Sequence, residues 1–465
     1  MYIQQLYTNC LAEAAYYIES NGEAAIIDPI RETEPYIALA KQRGTKIKYI
    51  FETHFHADFV SGHIDLAHQT GAEIIYGPMA ETKYKVRNMK DGEEVKVGDL
   101  TIRAIHTPGH TPESTCYLLL DESYQEHCVF TGDTLFVGDV GRPDLLDGKM
   151  TKEELAGMMY DSLNNKIKKL PDEVIVYPAH GPGSSCGKNL GPEKQSTIGM
   201  EKQRNYALAD MKKEDFIKVL TEGLTPPPAY FFSDAMINKQ GYTAIDDVMK
   251  RNMKALPVDE FENEVARGAI ILDTRCPDDF EKGFIPSSIN IGLNGMYAIW
   301  AGTILDIKIP LVIVCDEGKE EESVMRLTRV GYDLVNGYLE GGIETWKKAG
   351  KALDTVHSIE PEEFAQRVRE GAKVLDVRRL TEAENGHVKD ATVIPLAELE
   401  ENLSSLNKET PLIIHCAGGY RSVIAASLMK REGFTNLTNV HGGWRQFKNL
   451  DLPVQTGTPS NLIAE

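Results

Sequence analysis

The second half of the chain contains an internal repeat whose two copies begin at residues 269 and 372. AIILDTRCPDDFEKGFIPSSINIG in residues 269–292 parallels AKVLDVRRLTEAENGHVKDATVIPL in residues 372–396. In each copy one apolar strand ends in an aspartate, Asp273 or Asp376, and a second ends in a cysteine, Cys315 or Cys416. Helical segments separate these strands, and strands that alternate with helices form parallel sheets. The repeat therefore predicts two α/β domains, in residues 256–352 and 353–465.

The first part of the chain alternates short apolar and β-branched runs with turn signals. LTIRAIHTPGH, CYLLLD, HCVFTGD and EVIVYPAHG each read as a strand followed by a loop. At 465 residues the chain is long enough for about three domains of roughly 150 residues. We predict one domain over residues 1–190, followed by a connector over residues 191–255 that combines helical segments with the Pro-rich TPPPAYF.

The stretch THFHADFVSGH, residues 53–63, follows the predicted strand KIKYIFE and contains side chains that bind transition metals. Alone, this stretch could also be a hydrogen-bonded polar loop. Further candidates occur at the ends of three later strands, in TPGHTPES, FTGDTLF and YPAHGPG. The full set of candidate ligands is His54, His56, Asp58, His110, Asp133 and His180. Ligands at strand ends are typical of a rigid scaffold with functional loops, so the set indicates a metal site.

These residues resemble the ligand motif of the metallo-β-lactamase superfamily, and the resemblance covers residues 1 to about 190. It implies an αβ/βα sandwich in this part of the chain, which precedes the two parallel-sheet α/β domains that the repeat predicts. The superfamily motif, HxHxDH followed by a His, an Asp and a final His, maps onto the six candidates. Phe59 departs from the motif, because members with two metal ions place a histidine there. The resemblance with this departure implies one metal ion per chain.

One branch of the superfamily, the persulfide dioxygenases, is more similar to this chain. Its members hold one non-haem Fe(II) with two histidines and one aspartate, a triad that leaves positions open for substrate sulfur and dioxygen. The resemblance assigns this triad to His54, His110 and Asp133 and implies one Fe(II) per chain. The remaining candidates, which would orient the ligands or bound water, are His56, Asp58 and His180. Direct binding by His56 remains open, because its equivalent binds the metal in zinc members.

Two further residues of the first domain are assigned by resemblance. VGDVGRPDL, residues 137–145, resembles the segment of the persulfide dioxygenases that carries a substrate-facing arginine, here Arg142. The alternative for Arg142 is an ordinary salt bridge. Cys186 lies in the Gly/Ser-rich HGPGSSCGKN, and the resemblance to dioxygenase–rhodanese fusions places it near the metal, where it would handle persulfide sulfur. The alternative for Cys186 is an incidental loop thiol.

The loop HCAGGYRS in the last domain places Cys416 between a predicted strand and a predicted helix. A loop of this kind wraps backbone N–H groups round the thiol, and the helix N-terminus adds partial positive charge, so the thiolate is stabilised. The same arrangement suits an oxyanion such as sulfite or thiosulfate. We predict Cys416 and Arg421 as catalytic residues, and Gly418 and Gly419 as substrate-binding residues.

Both copies of the repeat resemble rhodanese domains, and the loop from Cys416 to Arg421 resembles that of the sulfurtransferases. In the middle copy Cys315 begins CDEGKEEESV, where carboxylates crowd the loop and no arginine takes the position of Arg421. Nearby carboxylates raise a thiol pKa and repel anions. We therefore predict that the middle domain is inactive and serves a structural or docking role.

The charge of the chain argues against polyanionic partners. Lys and Arg number 50 and Asp and Glu number 70, which gives a net charge of −20 and argues against nucleic acid or an anionic membrane surface. The sequence shows no signal-peptide pattern and no apolar stretch near the ~18 residues that span a bilayer. We therefore expect a cytoplasmic protein. The seven cysteines are scattered, which argues against a disulfide framework.

The resemblances together imply a bifunctional persulfide dioxygenase and sulfurtransferase in sulfide detoxification. The first site would oxidise a small thiol persulfide with O2 to thiol and sulfite. The second would carry sulfane sulfur on Cys416 to or from sulfite and thiosulfate. The alternative is a zinc-dependent thioester hydrolase similar to glyoxalase II, fused to rhodanese modules that only bind. The resemblance also implies a homo-oligomer.

Overall fold

The computed structural model describes residues 1–145, 150–224 and 226–463. It divides into two compact units, Met1–Val248 with Leu327–Tyr332, and Met249–Arg326 with Asp333–Glu465. Most of the connector predicted over residues 191–255 thus clusters with the first unit. None of the described helices has the length and apolar character needed to cross a membrane.

Two six-stranded sheets form the centre of the first unit. The strands of the first sheet lie in chain order and are β1 Tyr2–Thr8, β2 Glu13–Ser20, β3 Glu23–Ile27, β4 Lys46–Phe51, β5 Glu73–Tyr76 and β6 Arg87–Asn88. The second sheet has the order β12-β11-β10-β9-β8-β7, with β7 Glu94–Val97, β8 Leu100–His106, β9 Thr115–Leu120, β10 Glu126–Gly132, β11 Ile175–Pro178 and β12 Ser196–Thr197.

Helices pack on the sheets of this unit, and apolar side chains fill the layers between them. The helices are α1 Glu34–Arg43, α2 His63–Thr70, α3 Lys152–Asn165, α4 Ile198–Arg204, α5 Lys213–Thr221, α6 Tyr230–Gln240 and, at the boundary, α7 Ile245–Asn252. One buried cluster, which includes Phe51 and Phe130, lies between the sheets. A second cluster, which includes Leu118, Met159 and Phe216, joins the second sheet to α3 and α5, while α1 and α2 contact β4. This layer order confirms the predicted αβ/βα sandwich.

Strand ends position the candidate ligands. His54 follows β4, His110 follows β8, Asp133 follows β10 and His180 follows β11. Gly132 ends β10 with a φ of 52°, and a Cβ on it would lie 2.5 Å from Thr53 Oγ1. Only glycine therefore lets the end of β10 approach the loop that carries the first histidine of the motif.

The second unit contains two parallel sheets of related order. The first has the order β13-β17-β16-β14-β15, with β13 Ala255–Leu256, β14 Ile270–Asp273, β15 Ile289–Asn290, β16 Leu311–Val314 and β17 Val335–Leu339. The second has the order β18-β23-β22-β19-β21-β25, with β18 His357–Ile359, β19 Lys373–Asp376, β21 Thr392–Val393, β22 Leu412–His415, β23 Leu437–Val440 and β25 Asn461–Leu462. β20 His387–Val388 pairs separately with β24 Val454–Gln455. The matching order of the first five strands in each sheet confirms the repeat.

Helices connect the strands of both copies, as the alternating pattern predicts. Those of the middle copy are α8 Val258–Ala266, α9 Pro277–Lys282, α10 Tyr297–Ile304, α11 Glu320–Thr328 and α12 Gly342–Lys348. Those of the last copy are α13 Pro361–Arg369, α14 Leu380–Glu384, α15 Leu399–Asn402, α16 Tyr420–Arg431 and α17 Gly443–Phe447. Each copy has its own buried core, centred on residues such as Phe261 and Val312 in the first and Phe364 and Phe447 in the second.

Candidate metal centre and sulfur-transfer loop

His54, His110 and Asp133 form a buried cluster in the first unit, and each offers one potential ligand atom. His110 Nε2 lies 3.4 Å from Asp133 Oδ2, and His54 Nε2 lies 3.9 Å from the same oxygen. The two imidazole rings are 4.8 Å apart and nearly perpendicular. Ligand atoms about 2 Å from a shared ion lie roughly 3 to 4 Å from one another. The three side chains therefore have the spacing of a single metal site.

Hydrogen bonds determine which ring nitrogen of each histidine is free to bind a metal. Thr53 Oγ1 donates to Asp28 Oδ2 at 2.8 Å, so the same hydroxyl accepts from His54 Nδ1 at 2.9 Å. His110 Nδ1 lies 2.8 Å from the carbonyl oxygen of Arg142 and donates to it. Each Nε2 therefore keeps its lone pair. Burial also lowers the pKa of His54 well below its usual value, which keeps the imidazole neutral.

Asp133 completes the donor set with one carboxylate oxygen. Its Oδ1 pairs with His180 Nδ1 at 2.9 Å, whereas its buried Oδ2 has no hydrogen-bond partner in the described part of the chain. Burial alone would raise the pKa of Asp133, but the charges of His180 and His110 lower it well below its usual value. A buried ionised oxygen without a donor is costly unless a cation meets it. The Nε2 atoms of two imidazoles and this carboxylate oxygen are a donor set that fits Fe(II) or Zn(II).

His180 lies between two carboxylates. Its Nδ1 is 2.9 Å from Asp133 Oδ1, and its Nε2 is 2.8 Å from Asp58 Oδ2. Burial alone would lower the pKa of His180, but the two carboxylates raise it well above its usual value, so the ring is an imidazolium. The Nδ1 hydrogen bond fixes the orientation of the Asp133 carboxylate, whereas Nε2 makes no hydrogen bond in the described part of the chain.

His56 faces a different pair of acids. Its Nε2 lies 3.1 Å from Asp28 Oδ1 and 3.6 Å from Glu52 Oε2, and these three side chains form a second buried group of potential ligands. The ring also packs on the buried Phe59, with centroids 4.3 Å apart. His56 Nδ1 has no hydrogen-bond partner among the described residues, so direct ligation through this atom stays open.

Sequence reasoning missed Asp28 and Glu52 as parts of this centre. In the sequence, Asp28 belongs to an Asp-Pro turn signal and Glu52 ends the predicted strand KIKYIFE, and neither pattern indicates a metal site. The two acids follow β3 and β4, which are neighbours in one sheet. Acidic residues at the same end of adjacent strands are the signal that would have found them.

Arg142 and Cys186 belong to two loops that contact each other near the cluster. Arg142 donates through Nε and Nη2 to the carboxylate of Asp144, both at 2.7 Å, and its backbone N–H donates to the Cys186 carbonyl at 2.9 Å. Cys186 is 1% exposed, and its Sγ lies within 4.8 Å of ligand atoms of Asp58 and His180. Burial, followed by the charges of Asp58 and Asp133, raises the pKa of Cys186 well above its usual value. The thiol therefore stays protonated.

Cys416 lies at the end of β22 and at the start of α16, as the sequence predicts. Its side chain is buried, the N–H of Gly419 donates to Sγ at 3.1 Å, and Ser422 Oγ lies 3.5 Å from the sulfur. The N-terminal end of α16 adds partial positive charge beside the thiol. The loop therefore places a backbone donor and the start of a helix beside the sulfur of Cys416.

Arg421 pairs with a carboxylate from another helix. Its Nη1 and Nη2 donate to the two carboxylate oxygens of Glu382 at 2.7 and 2.8 Å. Burial alone would raise the pKa of Glu382, but these bonds hold it below its usual value. The pair ties the first turn of α16 to α14 and so holds the loop that contains Cys416.

The equivalent cysteine of the middle copy has a different environment. Burial, together with the carboxylates of Glu320, Asp273 and Asp316, raises the pKa of Cys315 to about 12. Such a thiol is protonated at neutral pH and is a poor nucleophile. This difference supports the prediction that the middle copy has no catalytic role.

The fold and these two sites define a metal-binding sandwich domain that is joined to a tandem pair of sulfur-transfer-type domains. The family described as the metallo-beta-lactamase superfamily matches residues 8–180, and the rhodanese-like domain matches residues 257–349 and 360–450. The chain belongs to the metallo-β-lactamase superfamily and carries two rhodanese-like domains after the metal domain.

Named relatives of the metal domain include both oxygenases and hydrolases. Persulfide dioxygenase ETHE1, mitochondrial, of Homo sapiens is 30% identical over 208 residues, which are 44% of this chain and 74% of that protein. Hydroxyacylglutathione hydrolase of Rhizobium etli is 39% identical over 165 residues, which are 35% of this chain but only 58% of that protein. A crystal structure of a metallo-beta-lactamase from Staphylococcus aureus subsp. aureus COL is 32% identical, covers 73% of this chain and 98% of its own, and has a TM-score of 0.65.

Proposed function

We propose that this protein is a bifunctional persulfide dioxygenase and sulfurtransferase. The observation that carries the first activity is the donor set of His54, His110 and Asp133, in which two imidazole Nε2 atoms and one carboxylate oxygen meet in a buried cluster. The 30% identity to the human persulfide dioxygenase supports the same activity. The rhodanese-like domains and the Cys416 loop support the second.

The first reaction oxidises a small thiol persulfide by the balance RSSH + O2 + H2O → RSH + SO3²⁻ + 2H⁺. One Fe(II), held by the triad, would supply open positions at which the substrate sulfur and O2 meet. Thr53 and the Arg142 carbonyl keep the two histidines in the tautomer that binds a metal. Burial of the triad keeps bulk water away, and His180 holds a proton between Asp133 and Asp58.

Arg142 and Cys186 act at the substrate side of this centre in our proposal. The side chain of Arg142 is held by Asp144, and its backbone N–H binds the Cys186 carbonyl, which keeps the loop of Cys186 next to the metal cluster. The protonated thiol of Cys186, beside Asp58 and His180, contacts substrate sulfur as a neutral group. A neutral thiol does not compete with the persulfide anion as a metal ligand, because the thiolate is the ligand form of cysteine.

The second reaction transfers sulfane sulfur through Cys416. The thiolate, held by the Gly419 N–H and the N-terminus of α16, attacks the sulfane sulfur of a donor RSSH. The S–S bond of the donor breaks, RSH leaves, and Cys416 becomes a persulfide anion. Sulfite formed by the first reaction then removes this sulfur and leaves as thiosulfate. Arg421 and Glu382 keep the loop in the geometry that presents its N–H groups.

The second candidate function is a zinc-dependent thioester hydrolase, favoured by the 39% identity to the Rhizobium etli hydrolase. That enzyme class commonly uses two metal ions, and this chain has Phe59 where the second ion would have a histidine ligand. Phe59 is fully buried against His56 and supplies no ligand atom. A dioxygenase with one metal ion therefore agrees better with Phe59 than a hydrolase with two ions does.

Metal analysis combined with O2 uptake tests the proposal. We expect about one iron per chain after anaerobic loading, O2 consumption when glutathione persulfide is added, and sulfite as the product. A thiosulfate to cyanide transfer assay tests the second site, and Cys416→Ser should abolish it. Two zinc ions per chain with thioesterase activity, and no persulfide-dependent O2 uptake, would refute the first half of the proposal.

A further inference from the structure

Two arginines of the last domain, Arg421 and Arg378, are already paired with carboxylates. Both Nη atoms of Arg421 bind Glu382, as described above, and Arg378 donates through Nε and Nη2 to Asp376 at 2.6 to 3.0 Å. Arg378 also packs over the ring of Trp444, 4.3 Å from its centroid. The charges of these two guanidinium groups are therefore already balanced before a dianion such as thiosulfate binds. A positive charge that attracts the dianion must come from another residue.

The turn that begins α17 is bonded directly to the backbone of the Cys416 loop. The N–H of Trp444 donates to the Cys416 carbonyl at 2.7 Å, and the N–H of Arg445 donates to the Ala417 carbonyl at 3.0 Å. Gly443 allows this approach, since it has a φ of 55° and a Cβ on it would lie 2.4 Å from the Cys416 carbonyl oxygen. The start of α17 therefore packs directly against the Cys416 loop, and the two segments form one continuous surface.

The guanidinium group of Arg445 lies over the Cys416 loop. A Cβ built on Gly418 would lie 3.7 Å from Arg445 Nη1, so the cation lies over the exposed glycine two residues after Cys416. The Arg445 side chain is exposed, and no carboxylate of the described ranges forms an ion pair with it. Arg445 thus provides a positive charge beside the Cys416 loop, and no carboxylate among the described residues balances this charge.

We propose that Arg445 binds the sulfonate oxygens of thiosulfate, and of sulfite in the reverse direction, and so selects anionic sulfur donors at Cys416. This inference rests on the proposed sulfurtransferase function and names the residue that recognises its substrate. Gly418 has no side chain to separate the guanidinium from an anion on the loop. Arginine suits this role because its planar donors match the oxygens of an oxyanion.

The bound anion then reacts without any further reagent. The Cys416 thiolate attacks the sulfane sulfur of S2O3²⁻, a new S–S bond forms on the cysteine, and the S–S bond of thiosulfate breaks. The electron pair leaves with SO3²⁻, so a thiolate and a thiosulfate become a cysteine persulfide anion and a sulfite dianion. Arg445 touches the oxygens, which keep their charge throughout, and it therefore affects binding more than the chemical step.

The test compares Arg445→Gln and Arg445→Lys with Arg431→Gln in the full-length protein. Arg431 is also exposed, but it ends α16, about 16 Å from the helix start that faces Cys416. With thiosulfate as donor and cyanide as acceptor, Arg445→Gln should raise KM by at least about tenfold with kcat changed little, the size expected for losing a hydrogen bond to a charged group. Arg445→Lys should recover much of the loss, and Arg431→Gln should match the wild type.

Two further measurements separate this inference from the proposed function. Transfer from an uncharged dialkyl trisulfide should be the same in Arg445→Gln and in the wild type, because that donor has no sulfonate. Thiosulfate binding to Cys416→Ser, measured by calorimetry, should weaken by at least about tenfold when Arg445→Gln is added. If Arg445→Gln weakens thiosulfate binding but the wild type shows no sulfur transfer, the proposed transferase function is refuted and the role of Arg445 in binding is supported. An unchanged KM and unchanged binding in Arg445→Gln would overturn the inference.

Discussion

The most direct quantitative prediction concerns Cys315, the cysteine of the middle rhodanese copy. With a pKa of about 12, only about 10⁻⁴ of Cys315 is thiolate at pH 8, against roughly 0.2 for a thiol of ordinary pKa near 8.5. Because the thiolate is the nucleophile, alkylation should be slower by on the order of 10³-fold than for an unperturbed cysteine. Burial is the largest cause of the raised pKa, so neutralising one carboxylate with Glu320→Gln should speed alkylation by less than about tenfold.

Iodoacetamide labelling followed by peptide mass spectrometry measures this rate. The protein is labelled at pH 8 in its native state, and a sample unfolded in guanidinium serves as the control in which Cys315 should react at the ordinary rate. Thiosulfate should load persulfide on Cys416 and none on Cys315, and Cys315→Ser should transfer sulfur like the wild type. Native Cys315 labelling within tenfold of the unfolded rate, or a persulfide on this residue, would refute the electrostatic reasoning.

Three other substitutions test the two sites separately. His110→Ala should abolish iron retention and O2 uptake yet leave sulfur transfer measurable, and retained dioxygenase activity would exclude the triad. Thr53→Val removes the hydroxyl that fixes the neighbouring imidazole tautomer, so metal affinity in a chelator competition should fall by roughly 10- to 100-fold; unchanged affinity would contradict the tautomer argument. Glu382→Gln leaves the partly buried charge of Arg421 without a carboxylate and should lower the kcat of sulfur transfer, whereas Glu363→Gln, in an exposed helix pair, should leave it within twofold. Equal kcat in these last two variants would show that the Glu382 pair does not hold the loop.

The sequence predicts the parts of this molecule that depend on local pattern. The strand ends could be located because apolar runs stop where His54, His110 and Asp133 begin, and the repeat could be located because both copies keep the same order of strand, cysteine and helix. The repeat predicted the two α/β domains, the resemblance of the ligand motif implied the sandwich, and both are confirmed. The loop of Cys416 could also be predicted, because all its residues are consecutive in the sequence.

The partners of these residues could not be predicted, because they come from distant parts of the chain. Glu382 lies 39 residues before Arg421, and their pairing depends on how α14 packs beside α16. Arg445 reaches the Cys416 loop only through the left-handed turn at Gly443. The position of residues 191–248 with the first unit likewise depends on tertiary packing, which composition alone does not determine.

The charges around the metal cluster support our proposal that this centre holds one ion. A second ion of the dinuclear type would need Asp58 and His180, but these two groups are 2.8 Å apart and neutralise each other. The carboxylates of Asp133 and Asp58 raise the pKa of His180, and its Nδ1 is already hydrogen-bonded to Asp133 Oδ1. The nearby Cys186 is held as a neutral thiol, and Phe59 contributes no donor atom. Asp133 Oδ2 has no hydrogen-bond partner among the described residues, and one divalent cation would satisfy it together with the Nε2 lone pairs of His54 and His110.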